Sequence, residues 1–336
     1  MMTITLDAMG GDNAPEATVA GAVQAARDFN IEIQLVGQPA AIEAELKKYD
    51  ISGLHLPIVP ASEVIEMEDS PATAVKTKKD SSMNVGMQQI KSGKSQGFLS
   101  AGNSGGVLAA ALFGLGRIKG IKRPALGTIF PVASDVGFCF LIDVGANTDV
   151  KPEYLYQFAL MGTVYSERVL GVKNPRLGII STGEEEGKGS QLVLETTDLL
   201  RNGSFNFIGN VEGKDIPNGL ADVVVTDGFT GNVFIKTAEG VAELIMGVIR
   251  EEIMQRPLAK AGAFLAKGAF DAIKTRLDPR EFGAGPLLGV NGIVLVTHGS
   301  SDAYSIRNAL RSTKMAVENN IIEAIQSYQT PEANAA

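Results

Sequence analysis

Tryptophan is absent from this sequence, cysteine occurs once and histidine twice. One thiol, Cys139, can supply neither a disulfide framework nor a cysteine-based zinc site. It lies mid-strand between Phe138 and Phe140, the setting of a buried inert thiol, which argues against a covalent thioester route. Of the histidines, His55 falls in an apolar strand pattern and reads as structural. His298 stands in Thr297-His298-Gly299-Ser300-Ser301-Asp302 at a strand end, beside hydroxyl and carboxylate partners, and is favoured as functional. Positive charge is in deficit. The 30 Lys and Arg against 38 Asp and Glu leave a formal charge of −8, which argues against a general nucleic-acid binder. An acidic partner would need a local basic patch. No apolar run approaches the ~18 residues that a membrane span needs, and no signal peptide precedes the first strand. A cytosolic protein is expected.

Glycine, by contrast, is abundant at 38 residues, above the usual ~7%, and it gathers in turns. The organising stretch is 221–236, ADVVVTDGFTGNVFIK. Val223, Val224 and Val225 suit a strand buried on both faces. Asp227-Gly228 ends it, and from Asn232 apolar residues at Phe234, Ile235, Ala238, Val241, Ala242 and Ile245 recur at helical spacing. Such a corner aims backbone N–H groups and a positive helix end at one point, which favours an anion. Taken alone, the corner is equally compatible with an ordinary strand-to-helix turn.

The same corner recurs along the chain. Strands are expected at 3–7, 31–36, 54–59, 97–99, 125–130, 138–142, 176–180, 205–208 and 292–296. Helices are expected at 15–29, 40–49, 74–90, 107–115, 151–170, up to 200, at 257–277 and after 302. The passage 281–289 is glycine-rich and unassigned. This alternation points to an α/β fold with a mostly parallel sheet covered on both faces. The polar turns follow strands, so they are expected together along the carboxyl edge, where ligands bind.

Several chemistries compete for these turns. Gly183-Glu184-Glu185-Glu186-Gly187-Lys188-Gly189-Ser190 superficially resembles a P-loop. Its spacing is one residue short, Gly189 stands where a magnesium-binding hydroxyl belongs, and three glutamates would repel triphosphate. No G-x-G-x-x-G follows the first strand, which disfavours a dinucleotide fold of the usual kind. Asp7, Asp143 and Asp227 each close a strand and could together hold a divalent metal. The alternative is that each caps its own turn. The remaining polar set comprises Ser100, Ser104, Thr230, Ser300 and Ser301, the amides Asn103, Asn147 and Asn232, and Lys188. It suits a small oxyanion and an acyl oxyanion better than a nucleoside.

DAMGGDNAP at 7–15, SAGNSGG at 100–106, DVGAN at 143–147, VVTDGFTGN at 224–232 and HGSSD at 298–302 together resemble the bacterial acyl-ACP:phosphate acyltransferases of phospholipid synthesis. The resemblance spans nearly the whole chain. It implies a three-layer α/β/α fold like those of phosphotransacetylases and isocitrate/isopropylmalate dehydrogenases, in a single catalytic domain over 1–329 with a helical protrusion near 250–280 and a disordered tail at 330–336. It also implies transfer of a fatty acyl group from acyl carrier protein to inorganic phosphate, without metal or cofactor. A homodimer and peripheral association with the membrane are implied too, where a glycerol-3-phosphate acyltransferase consumes the acyl phosphate.

The residues make sense of that reaction. Phosphate is already partly dianionic near neutral pH, its second pKa being of order 6–7, and a thiol of pKa ~8.5 leaves readily. Holding the anion against the thioester and stabilising the oxyanion therefore matter more than acid–base catalysis. On this reading Lys188 and Asn232 contact the reacting oxygens, and Ser100, Asn103 and Ser104 cradle the phosphate. Asn147, Thr230, Ser300 and Ser301 add donors, while His298 and Asp227 orient neighbours. In 257–277, Leu258, Ala261, Leu265, Ala269, Ala272 and Ile273 share one helical face opposite Lys260, Lys267 and Lys274, with Phe264 and Phe270 between. That segment suits either a membrane surface or a dimer contact. The basic cluster Arg117, Lys119, Lys122 and Arg123 is a candidate dock for the acidic carrier, against the default of a solvated loop. Two rivals stand beside this reading: a metal-dependent dehydrogenase or phosphohydrolase, and a non-catalytic carrier-binding module.

Overall fold

The computed structural model describes residues 1–328, save the side chains of Lys274 and Pro279. The tail at 330–336 and the Lys274 side chain, both named above, lie outside the described residues. The first segment runs β1 (Thr3–Asp7), α1 (Glu16–Phe29), β2 (Glu32–Gly37), α2 (Pro39–Leu46), β3 (Ile58–Pro60), α3 (Pro71–Thr77), α4 (Ser82–Lys91), β4 (Gly97–Ser100) and α5 (Ser104–Gly114). It continues through β5 (Ala125–Pro131), β6 (Phe138–Ile142), α6 (Pro152–Arg168), β7 (Arg176–Ile180), α7 (Gln191–Arg201), β8 (Asn206–Val211), β9 (Val223–Val225) and α8 (Gly228–Gln255). The last part comprises α9 (Pro257–Leu265), α10 (Lys267–Leu277), β10 (Gly285–Leu288), β11 (Ile293–Val296), α11 (Ala303–Glu318) and α12 (Ile321–Tyr328).

All strands join one 11-stranded sheet in the order β3-β2-β1-β4-β11-β10-β5-β6-β9-β7-β8. The strands from β3 to β11 are mutually parallel, as are β6, β9, β7 and β8. Three antiparallel pairings, β11–β10, β10–β5 and β5–β6, lie between the two sets and reverse the direction. The sheet is therefore two parallel halves running toward each other. The register pairs Val296 with Gly285, Leu287 with Leu126, and Gly127 with Ile142. The carboxyl ends of β11 and β6 thus arrive at nearly the same height from opposite directions. The turns after β4, β6, β9 and β11 meet at a central line and not along one shared edge.

Residues alternate across the sheet as a two-residue period demands. Phe140, Ile142, Val223 and Val225 join the large core that also holds α1, α6 and α11. Cys139, Leu141 and Val224 face a smaller cluster with Ile216 and Val132. On the first half, α3, α4 and α5 cover Phe98, Val294 and Val296 from the other side.

The departures from expectation have local causes. Strand β10 lies inside the glycine-rich passage, where Gly285 brings β10 so near β5 that a Cβ would sit 2.3 Å from the Gly127 carbonyl oxygen. The helix expected over 74–90 breaks because the Asn84 side chain donates to the carbonyls of Val75 and Lys78, closing α3, while Ser81 caps α4. Residues 54–57 pair with β2 only through the His55 and Pro57 carbonyls, and His55 itself is exposed. Helix α8 ends at Arg256, extended at φ −121° and ψ 117° before Pro257. Its apolar stripe is half-buried near the base, at Phe234, Ile235 and Ala238, and exposed beyond. From 240 to 277 nearly every described residue is exposed, and no described helix is long and apolar enough to cross a membrane.

The base of α8 is the tightest seat in the fold. A Cβ on Gly231 would lie 2.0 Å from the Asp143 carbonyl oxygen, whereas one on Gly240 would meet nothing within 4 Å. Gly231→Ala should therefore cost about 1–3 kcal/mol through overpacking. Gly240→Ala in the same helix should be neutral or stabilising by up to ~1 kcal/mol. Thermal melts of the two variants check this, and equal shifts would contradict the packing described.

Candidate active site

The site is built from strand-end turns that brace one another. After β6, the buried Asp143 carboxylate accepts from the backbone N–H groups of Leu126, Gly145, Ala146 and Asn147 and from Asn147 Nδ2, at 2.8–3.1 Å. Burial pushes its pKa up, and these donors pull against that shift. Asn147 Nδ2 also donates to the Pro124 carbonyl at 2.7 Å. The Asn147 carbonyl in turn accepts from Gly228 N at 2.7 Å, seating the first residue of α8 on this turn. Asp227 caps α8, accepting from Thr230 N at 2.9 Å and from Thr230 Oγ1 at 2.7 Å.

The other half is organised the same way. Asp7 is fully buried and accepts from Ser100 Oγ at 2.7 Å. Burial raises its pKa, while hydrogen bonds from Ser100 and the nearby Met9 backbone N–H lower it. Asn103 caps α5 through Gly106 N, and its Nδ2 donates to the carbonyls of Glu66, Met67 and Asp69. Asn13 Nδ2 holds the Ser300 and Ser301 carbonyls, and Ser301 shares its hydroxyl with Thr297 at 3.1 Å.

Between the halves opens a cleft of about 280 Å³. Gly102 and Ser104 at the start of α5 form one wall, with Thr297, His298 and Gly299 beside them. Asn232, Ile235 and Lys236 from α8 form the opposite wall, and β5 and β10 form the floor. The opening N–H groups of a helix have no intrahelical partner, so the start of α5 is suited to an anion. The Asn232 amide oxygen lies 3.8 Å from where a Gly145 Cβ would stand. Glu239, one turn beyond Lys236, pairs with it at 2.7 Å and approaches His298 Nε2 at 3.6 Å. Leu126, Ile129, Val144 and Ile235 give the cleft an apolar side.

The expected residues therefore divide. Ser104, Asn232 and His298 line the cleft. Ser100, Asn103, Asn147, Asp227, Thr230 and Ser301 spend their side-chain hydrogen bonds on the turns themselves. Ser300 is exposed and does not line the cleft. Lys188 is not among the residues that line the cleft; it lies on the exposed turn after β7, where Asn210 Nδ2 holds its carbonyl and that of Glu185. Among the described residues, Lys236 is the lysine that lines the cleft. Sequence reasoning passed over it, although it sits four residues after Asn232 and so shares its helical face.

Asp7, Asp143 and Asp227 are each bonded into their own turns and do not form a shared metal site. The one acidic group with metal-ligand spacing among the described residues is Glu184, Glu212 and Asp215. Lys214 already pairs with Glu184 and Glu212 there. In the basic cluster, the Arg117 guanidinium donates to the Lys122 carbonyl, and Arg123 lies over the Tyr154 ring. Both are engaged locally, as a solvated loop would have them.

A family model described as "Fatty acid synthesis protein" matches residues 2–324. A "Phosphate acyltransferase" of Heliobacterium modesticaldum is 49% identical over 328 residues, covering 97% of each chain. One of Geobacter sulfurreducens is 45% identical over 334 residues, covering 99% of this chain and 96% of the relative. Among solved structures, a phosphotransacetylase from Streptococcus pyogenes superposes with a TM-score of 0.61 at 16% identity, over 97% of this chain and 94% of that one. That likeness carries the fold.

The geometry predicts that inorganic phosphate binds the cleft and stabilises the chain, by about 2.7 kcal/mol at a hundred times its Kd. Lys236→Ala should shrink the phosphate-dependent rise in Tm, and Lys188→Ala should leave it intact. The reverse pattern would return the anion to the Lys188 turn.

Proposed function

Because the chain belongs to the phosphate acyltransferase family, and so is an acyltransferase of fatty acid and phospholipid synthesis, we propose that its cleft transfers a fatty acyl group from acyl carrier protein to inorganic phosphate. A phosphate oxygen attacks the thioester carbonyl, the C–S bond breaks, and the thiolate leaves with the free carrier. Acyl phosphate is the other product. The observation that supports this most is the meeting of the α5 start with Asn232, Lys236 and His298 in one cleft with an apolar side. Lys236 and the α5 N–H groups hold the anion. The Asn232 amide donates to the carbonyl oxygen as charge develops on it. His298, held toward α8 by Glu239, orients the incoming oxygen.

No covalent enzyme intermediate is proposed. Cys139 is fully buried, and burial pushes its thiol up, away from a reactive thiolate. Asn232→Ala should lower kcat by ~10²-fold if the amide is an oxyanion donor. Thiol release from acyl carrier protein plus phosphate, followed with and without EDTA, separates the rivals. Release that persists in EDTA supports the proposal. Loss in EDTA favours the metal-dependent reading, and carrier binding without release favours a non-catalytic module.

We further propose that residues 1–329 act as one catalytic unit from which α8, α9 and α10 project. The groove of Phe130, Phe234, Val241 and Ile245 beside α8 would be covered by the second copy of a homodimer. Leu258, Phe264 and Leu265 on α9 are 89%, 77% and 85% exposed. Each would contribute ~1.5–3 kcal/mol on full burial. Resting that face on a bilayer places the apolar product beside the membrane acyltransferase that consumes it. Leu258→Glu/Leu265→Glu should abolish flotation with liposomes without lowering turnover on soluble substrate. Flotation equal to the parent's rejects the membrane role.

A further inference from the structure

A second cavity, of about 370 Å³, lies between α3, α4 and α5. Its floor is Val75 and Met87, both buried, and its rim carries Lys76, Lys79 and Lys91, all exposed. Phe113 is 57% exposed at the same rim, with Lys76 Nζ 5.2 Å from its ring centroid. Among the described residues, no acidic side chain lines the groove. Lys76, Lys79 and Lys91 form no ion pair among the described residues, whereas neighbouring Lys78 is paired with Asp69. Between positions 76 and 94 the chain places Lys76, Lys78, Lys79, Lys91 and Lys94 against the single acid Asp80. In a chain of formal charge −8, that is a concentrated positive island around an apolar ring.

We propose that this groove is the docking surface for an acidic carrier protein, an acidic helix setting its carboxylates against the three lysines and an apolar side chain beside Phe113. The proposal rests on the carrier-dependent reading above and adds where the carrier sits. Unpaired ammonium groups steer an acidic partner and fix its register, while an exposed aromatic supplies the anchor. Helix α5 links the two places. Ser104 lines the cleft and Phe113 the groove, nine residues apart, which is about 14 Å along a helix. A carrier seated there delivers its thioester on a flexible arm while the protein body stays outside the cleft. A flat anionic bilayer fits a concave groove poorly.

The test compares the parent with Lys76→Glu/Lys79→Glu, with Lys91→Glu and with Phe113→Ala, using two acyl donors: the acylated carrier and a small acyl thioester lacking it. The carrier KM should rise about tenfold or more while kcat with the small donor stays within about twofold. Titration of fluorescently labelled carrier should show the same weakening in Kd. Unchanged carrier KM and Kd in all three variants overturn the proposal. So does equal loss with both donors, which is damage to the fold or cleft, or loss of vesicle flotation with carrier affinity intact, which makes the groove a lipid contact. A parent that binds carrier through these residues but transfers nothing would refute the transfer reading and leave the docking surface standing. A parent that does not bind carrier refutes the docking surface.

Discussion

The buried carboxylate of Asp143 is the fixed point of this molecule. Its oxygens gather donors from Leu126 on β5 and from Gly145, Ala146 and Asn147 in its own turn. Such donors replace the water that burial strips from a carboxyl group. The turn is held together by these bonds, and helix α8 is seated on it through the Gly228–Asn147 bond and the bare backbone of Gly231. Asn232 and Lys236 owe their position in the cleft to that seat. Asp7 does the parallel work across the cleft, holding Ser100 and so the turn that leads into α5. Two aspartates that looked like candidate metal ligands serve as internal braces.

The sheet explains why braces are needed on both sides. Two parallel halves approach head to head across β10 and β5, so the cleft walls come from stretches far apart in sequence. Each wall is stiff because its turn is hydrogen-bonded internally. The lining is left to a few side chains and backbone groups. A reaction in which phosphate is already charged and the thiol leaves readily asks for little more than placement and oxyanion donors. A cleft with few titratable groups is consistent with that demand.

Much of this was legible in the residues. Short apolar runs and the strand-to-helix corners after them located β1, β6, β7 and β9, and five glycine-bearing turns marked the family. The direction of the sheet was not legible, because it depends on β10, whose Gly-Pro composition hides a short strand chosen for close backbone approach. The polar turn residues were recognisable as a set, but sequence cannot separate a serine that braces a turn from one that faces the cleft. Ser100 closes β4 and bonds Asp7, whereas Ser104 opens α5 and lines the cleft. Lys236 carries no turn motif to mark it; only its helical spacing from Asn232 points to it. The apolar stripe of α8 was readable, and beyond its base it is exposed among the described residues.

We propose that the lone inorganic anion sits where the halves meet, between the start of α5 and the Asn232–Lys236 face of α8. Crystals grown with arsenate, a heavier mimic of phosphate, test it by anomalous scattering. The account predicts an arsenic peak within hydrogen-bond reach of Lys236 Nζ and the α5 N–H groups. A peak at the Lys188 turn, with the cleft holding none, would contradict it.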